Sequence, residues 1–255
     1  MKVSGRRLMY VVRPPRDRRA DEHGSCNVCS ASGRFVANSW MLPAHAAEEW
    51  GSEWVAEFAR RESLFCRRCS STLRVRRLAA VLLEHYGGAT SIAELVQSAS
   101  FRALDVAEIN AAGALHGFLA KLPRLRYSEY GAGGEDLQAL SYRDASFDLL
   151  LTSDTLEHVP DWRTALGETR RVLRHGGRHV LTVPLVPTRA ETTDVRKNGW
   201  FHGRGTGPFA AVRRQGDYRV YTVFGLDLMD ALRDAGFEPE LHFRDAASVV
   251  SARAA

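Results

Sequence analysis

Ser146 to Pro184 reads SFDLLLTSDTLEHVPDWRTALGETRRVLRHGGRHVLTVP, and the succession of patterns in it decides the fold. FDLLLTS, residues 147–153, is an apolar run of strand length that ends in small and acidic residues, so it predicts a strand buried on both faces. Pro160 and Asp161 suit a helix start. Trp162, Leu166, Val172 and Leu173 then recur at helical spacing, and His175-Gly176-Gly177 predicts the helix stop. Val180 to Pro184 is a second apolar strand. Strand, helix and strand in this order make a right-handed parallel crossover, so the sheet is of the open α/β kind.

Outward from that stretch, 255 residues suffice for one α/β domain and a small appendage. A hydrophobic content of 45% and a charged content of 25% are ordinary for a soluble globule. No apolar run reaches the length of a membrane helix, and MKVSGRRLMYVVRPPRDRR lacks the apolar core and cleavage site of a secretory signal, so the expected compartment is the cytoplasm. The net charge of +5 and pI near 9.2 raise the question of nucleic acid. Only Lys2, Lys121 and Lys197 are lysines, and the arginines are spread along the chain as coding bias spreads them. The two concentrations, Arg13 to Arg19 and Arg67 to Arg77, have no interleaved stacking aromatics, so nucleic acid is not an expected partner. A small-molecule substrate is expected; a second copy of the chain or a partner subunit stays open.

Residues 1–22 read as an extended or disordered lead-in, because Pro14-Pro15 blocks helix and the charge after it favours solvent. Residues 23–72 read as a metal-binding module. Cys26-Asn-Val-Cys29 and Cys66-Arg-Arg-Cys69 are the only cysteines, two pairs with 36 residues between them. Two-residue spacing lets both thiolates of a turn reach one ion, and two such turns complete a tetrahedron suited to structural zinc, with no position left for substrate. Two disulfides, or unrelated buried thiols, are the alternatives, and His23 is an alternative ligand. Between the pairs, Ala44 to Arg61 predicts an amphipathic helix with Trp50, Trp54 and Phe58 at four-residue steps and an interruption at Gly51. Ser70 to Tyr86 predicts another, ended by Gly87-Gly88.

The crossover stretch resembles the second half of class I S-adenosylmethionine (SAM)-dependent methyltransferases, through Asp144, Ser146, Phe147 and Asp148, then Leu156, Glu157, His158 and Val159, then Arg171, Val172, Leu173, Gly176 and Gly177. The cysteine pairs followed by Ser71, Arg74, Arg76 and Leu78 are similar to a bacterial subgroup of type 11-like methyltransferases with an N-terminal zinc ribbon. The likeness covers most of residues 26–243. It implies a Rossmann-like class I methyltransferase sheet over residues 73–255, abbreviated between strands 2 and 4, with residues 185–217 as a substrate-side insertion. It also implies a first strand within Phe101 to Glu108 and a helix over Ala111 to Leu122, with the cofactor against Asp105, Ala107, Glu108 and Gly113. Only Gly113 remains of the usual glycine-rich loop, which is the main departure from the pattern.

Leu125 to Tyr130 is the implied second strand and places Glu129 for ribose hydroxyls. The turn after it places Asp136 for the adenine amino group, with Leu137 beside it. Glu129-Tyr-Gly131-Ala-Gly133-Gly134 looks more like the glycine loop, but too few residues separate it from Phe147 for the helix, strand, helix and strand that would have to follow. Ser153 and Asp154 end the next strand, where ligands of parallel sheets bind. Glu157 and His158 are implied near the transferable methyl, with His158 or His202 as general base, and Trp200, Arg189 and Arg204 join His202 in the insertion. Near the end, Val223 to Gly236 predicts a helix and FEPELHF a sixth strand.

Three functions follow as expectations. The first is SAM-dependent methyl transfer to a small polar metabolite in secondary-metabolite or glycan biosynthesis. The second, prompted by the missing glycines, is a SAM-independent displacement on the same fold, such as an intramolecular cyclisation in natural-product biosynthesis. The third is a non-catalytic subunit that docks a partner.

Overall fold

A computed structural model of the chain describes residues 9–12, 23–37, 40–43, 52–131, 133–185, 189–194, 219–244 and 247–255. In chain order these form strands β1 (Met9–Val12), β2 (His23–Ser25), β3 (Ser32–Ala37) and β4 (Trp40–Pro43), helix α1 (Ser52–Ser63), strand β5 (Leu64–Cys66) and helix α2 (Leu73–Tyr86). Two single turns follow, α3 (Ile92–Leu95) and α4 (Ala99–Arg102), then β6 (Val106–Ile109), α5 (His116–Leu119), β7 (Leu125–Ser128), β8 (Phe147–Ser153), α6 (Trp162–Val172) and β9 (Leu173–Thr182). The chain closes with β10 (Thr193–Asp194), β11 (Thr222–Val223), α7 (Leu228–Asp234), β12 (Phe237–Arg244) and β13 (Ala247–Ala254).

The main sheet has six strands in the order β12-β13-β9-β8-β6-β7. The four strands from β7 to β9 are parallel, and β13 runs antiparallel to both β9 and β12. Its apolar residues alternate between two cores. Val106, Leu149, Leu151, Val180 and Val249 pack with Leu78 and Leu82 of α2, whereas Ala107, Leu150, Leu181 and Val250 pack with Trp162 and Leu166 of α6 and Leu228 of α7. Both faces of β8 are therefore covered, as its unbroken apolar run requires. Among the described residues, no strand lies between β7 and β8, which leaves β7 at the sheet edge, and no helix is long and apolar enough to cross a membrane.

Several elements are shorter than their sequence patterns. Asp161 caps α6 through the Thr164 N–H (3.1 Å), but the helix ends at Val172 rather than at the glycines. Leu173 opens β9 opposite Phe147 while Arg178 pairs with Leu149, so Arg174 to Gly177 bulge out of the ladder, with Gly176 at φ 78°. The glycines serve that bulge, not a helix cap. Phe101 belongs to α4, and β6 starts only at Val106. The helix expected over Ala111 to Leu122 is a 3₁₀ turn and the single turn α5. The helix expected from Val223 begins at Leu228, and β13 was not expected at all. The lead-in outside Met9–Val12 and most of the 185–217 insertion lie outside the described residues; the near end of the insertion returns to the fold where β10 pairs with β11.

His179 is fully buried in β9, with Nε2 3.0 Å from Thr152 Oγ1, and burial pushes its pKa down to about 3. An unfolded histidine titrates near 6.5, so between these values the unfolded chain binds a proton that the folded one does not, and stability falls as the pH falls. Urea midpoints are expected to drop between neutral pH and pH ~4, and His179→Gln is expected to flatten that drop.

Candidate functional site

In an open parallel sheet, ligands bind where the strand order reverses. The chain steps outward from β6 to β7 and returns to β8 on the other side of β6, so the switch point is the crevice between the carboxyl ends of β6 and β8.

At the β6 tip, Glu108 is 0% exposed, accepts the Ala112 N–H (2.8 Å) and meets His116 Nδ1 (2.7 Å). Burial raises its pKa, and these two bonds oppose the rise. Asn110 takes φ 58°, a left-handed position that glycine fills at least cost and that asparagine tolerates better than most side chains. Its N–H donates to the Ser128 carbonyl (2.8 Å) and its Oδ1 accepts the Tyr130 N–H (2.9 Å), which ties the tips of β6 and β7 together. A Cβ on Gly113, at φ 56°, would lie 3.0 Å from Val75 Cγ2, so the first turn of α2 closes directly on this loop.

At the β8 tip, Asp154 sits at φ 48° and is held from three sides. Thr182 Oγ1 donates to Asp154 Oδ1 (2.9 Å), Arg61 Nη2 lies 2.5 Å from the same oxygen, and Arg74 Nε lies 3.2 Å from Oδ2. Arg74 also donates to Glu62 (2.7 Å) and to Ser153 Oγ. Arg61 comes from α1 and is 1% exposed. Burial alone would raise the Asp154 pKa, but Arg61 and Arg74 outweigh it and hold the carboxyl well below the usual range. Burial likewise disfavours the charge on Arg74, and Asp154 and Glu62 more than offset it, with a further contribution from Glu157.

Glu157 and His158 lie in the 3₁₀ turn that follows β8. Glu157 is buried, and its carbonyl accepts the Tyr221 N–H (2.8 Å). His158 Nδ1 is 2.9 Å from the Arg219 carbonyl, and its Nε2 is 3.8 Å from Glu157 Oε1. The pair thus pins the chain as it returns from the insertion.

Two residues expected at the cofactor stand elsewhere. Asp105 precedes the amino end of β6 and pairs there with Arg174 (2.9 Å), at the far end of the strand from the crevice. Ala107 points into the core beneath α6 and α7. The acid at the strand tip is Glu108. Glu129 is exposed just past β7 and accepts the Tyr127 hydroxyl. Asp136 accepts the Gln138 N–H (2.9 Å) and Nε2 (3.1 Å), and Leu137 is buried below that turn. A Cβ on Gly134 would lie 1.7 Å from the Glu129 carbonyl oxygen, so this glycine lets the turn fold back on the β7 tip. Trp200, His202 and Arg204 lie outside the described residues, and the Arg189 carbonyl accepts the Leu226 N–H (3.0 Å). Sequence reasoning missed Arg61, although its place three residues after Phe58 puts it on the aromatic stripe of α1.

The four cysteines converge, with their sulfurs within 4.8 Å of one another, Cys26 to Cys69 at 3.8 Å and Cys29 to Cys66 at 3.9 Å. None of the four is in a disulfide. The two turns repeat one geometry. Ser30 and Ser70, each following the second cysteine of its pair, adopt φ 62° and 60° and donate their N–H to the carbonyl of the first cysteine (2.9 and 2.8 Å). Ser71 Oγ lies 3.4 Å from Cys26 Sγ and 3.1 Å from Cys69 Sγ. Arg76 packs its guanidinium on the Phe35 ring and donates to the Leu64 and Ser71 carbonyls (3.2 and 2.8 Å), fastening the module to α2.

The six-stranded mixed sheet with helices on both faces is of the Rossmann-like kind. The family described as "Methyltransferase domain" matches residues 94–181, from α3 to the end of β9, about a third of the chain. More particularly, the 27-O-demethylrifamycin SV methyltransferase of Amycolatopsis mediterranei (strain S699) is 36% identical over 107 residues, which cover 41% of this chain and 34% of that protein. The chain therefore spans about a third of the length of that curated relative. Among solved structures, the 1,6-didemethyltoxoflavin-N1-methyltransferase of Burkholderia thailandensis, with bound 1,6-didemethyltoxoflavin and S-adenosylhomocysteine, is 18% identical with a TM-score of 0.46, covering 86% of this chain and 94% of that one. The SAM-dependent methyltransferase of Mesorhizobium loti is 18% identical with a TM-score of 0.37, covering 59% and 90%.

Proposed function

We propose that the chain transfers a methyl group from SAM to a small polar molecule, a secondary metabolite or glycan precursor, in the cytoplasm. The observation that carries this reading is that the methyltransferase-domain match, residues 94–181, contains both walls of the switch-point crevice. SAM, when bound, supplies an electrophilic methyl on a cationic sulfur. The chain's own residues would do the rest. Glu129, exposed at the β7 tip, accepts from ribose hydroxyls, and Asp136 accepts from the adenine amino group. Asp154, held as a carboxylate by Arg61 and Arg74, stands at the β8 side of the crevice. His158, oriented by its Nδ1–H on the Arg219 carbonyl, is the first candidate base for the proton of the acceptor, and His202 in the insertion is the second. Positioning of acceptor and donor supplies most of the rate.

The four cysteines are assigned to structural zinc. A tetrahedron with Zn–S bonds of about 2.3 Å has edges of about 3.8 Å, and two of the sulfur pairs lie 3.8 and 3.9 Å apart. Residues 23–72 are then a zinc module, and residues 73–255 the methyltransferase-like domain.

Isothermal titration of the full chain with SAM tests the reading. Binding is expected, and Glu129→Ala is expected to weaken it by one to two powers of ten, since a hydrogen bond to a charged group contributes about 1.5–3 kcal/mol. The absence of any heat at millimolar SAM would overturn it. A second reading, displacement without SAM such as an intramolecular cyclisation, is favoured by Arg61 and Arg74 at the β8 tip, where guanidinium groups could receive an anionic leaving group. Product that still forms when a SAM hydrolase is present would select it.

A further inference from the structure

Away from the cysteines, the last turn of α2 meets the edge strand β12, and three side chains of metal-ligating type face one another there. We propose that His85, His242 and Glu240 bind a divalent transition-metal ion of the zinc type, with Glu84 as an outer carboxylate. One ligand atom from each of the three lies within 4.8 Å of the other two, and His242 Nε2 is 3.7 Å from Glu240 Oε2. The two imidazoles meet edge to face, with centroids 5.8 Å apart.

The nitrogens carry the argument. Nε2 of His85 and Nε2 of His242 are both shielded from solvent, and neither has a hydrogen-bond partner. Two buried imidazole nitrogens without partners in one small space are a costly arrangement for a protein and an ordinary one for a metal site. Glu84 Oε2 lies 3.8 Å from His242 Nδ1, placed as the outer carboxylate of a carboxylate–histidine–metal arrangement. Nε2, on the other side of the ring, faces Glu240. Arg178 is the neighbouring cation; it donates to Ser251 Oγ (3.2 Å), and the two carboxylates outweigh its charge. Imidazole with carboxylate suits zinc, nickel or copper(II), and three protein ligands leave a position for water.

The site is separate from the cysteines. They lie at the amino end of α2 and His85 at its carboxyl end, and the 14 residues of that helix span about 20 Å. A bound ion would clasp the end of α2 to the outer strand of the sheet.

The experiment is metal analysis and zinc titration of the full chain, wild type against His242→Ala and Glu240→Gln, after equilibration with zinc chloride and desalting. Wild type is expected to hold one more zinc ion than either variant, and Glu84→Gln to weaken that extra ion by about tenfold. With cobalt in place of zinc, the thiolate-to-metal absorption of the cysteine cluster is expected to be equal in all four proteins, which separates loss of this ion from loss of the other. Glu240 is an exposed side chain, so its variant reports on the site even where His242→Ala does not fold. Equal zinc content in wild type and Glu240→Gln overturns the proposal.

Discussion

Cys66→Ser is expected to abolish binding of the proposed zinc and unfold residues 23–72. The module's own sheet is small. Its three-stranded sheet, β2-β3-β5, is built from two three-residue strands and one of six. In isolated zinc-finger peptides the metal contributes about 10–16 kcal/mol near neutral pH, which matches or exceeds the whole stability of an ordinary domain. The loss would not stay local. Cys66 ends β5, the segment between α1, which carries Arg61, and α2, which carries Arg74, so both guanidiniums at the β8 tip depend on the module's position. SAM binding is therefore expected to fall along with zinc content. Atomic absorption and limited proteolysis check the first part, and titration with SAM the second. A Cys66→Ser chain that keeps its zinc and melts with the wild type would falsify the zinc assignment.

The crossover was legible because each of its parts obeys one strong rule. An apolar run too long to alternate must be buried on both sides, and a cap with helical spacing after it makes a helix. The ends were less legible. Gly176 and Gly177 carry the same stop signal whether they end a helix or fill a bulge, and only pairing with β8 decides between the two. Asp105 and Glu108 are two acids three residues apart, and the sequence does not say where the short strand between them begins and ends, so it does not say which acid stands at the carboxyl tip. The single glycine of the loop hid a preserved backbone, since Asn110 supplies the left-handed residue and its side chain supplies an added tie to β7. β13 was unread because Ala247 to Ala254 is mostly small residues with one pair of valines, too weak an alternation to announce a strand. Arg61 was unread for a different reason. An arginine in a charged helix ordinarily faces solvent, and its burial depends on Asp154, ninety-three residues away.

Asp154→Ala is expected to destabilise the fold by about 3–5 kcal/mol, the cost of leaving one partner of a buried ion pair without the other. Arg61 is 1% exposed and would keep only Glu62, at 3.3 Å, while Arg74 would lose one of its two carboxylates. Two contributions are mixed in that variant, because Asp154 is also a left-handed residue and alanine is strained there. Asp154→Asn separates them. It keeps the backbone preference and most of the shape but removes the charge, so the difference between the two variants is the conformational part. The pH dependence gives an independent check. The folded pKa of Asp154 lies below its unfolded value of about 4, so its stabilisation is complete above that value and is lost as the pH falls from there toward the folded pKa. The window lies lower than that of His179, which begins near 6.5. Urea midpoints measured from pH 7 downward are expected to show the Asn variant losing less than wild type in the acid range and starting from a lower plateau. If Asp154→Asn and wild type unfold at the same urea concentration at neutral pH, the carboxylate at the β8 tip holds no charge that the fold depends on.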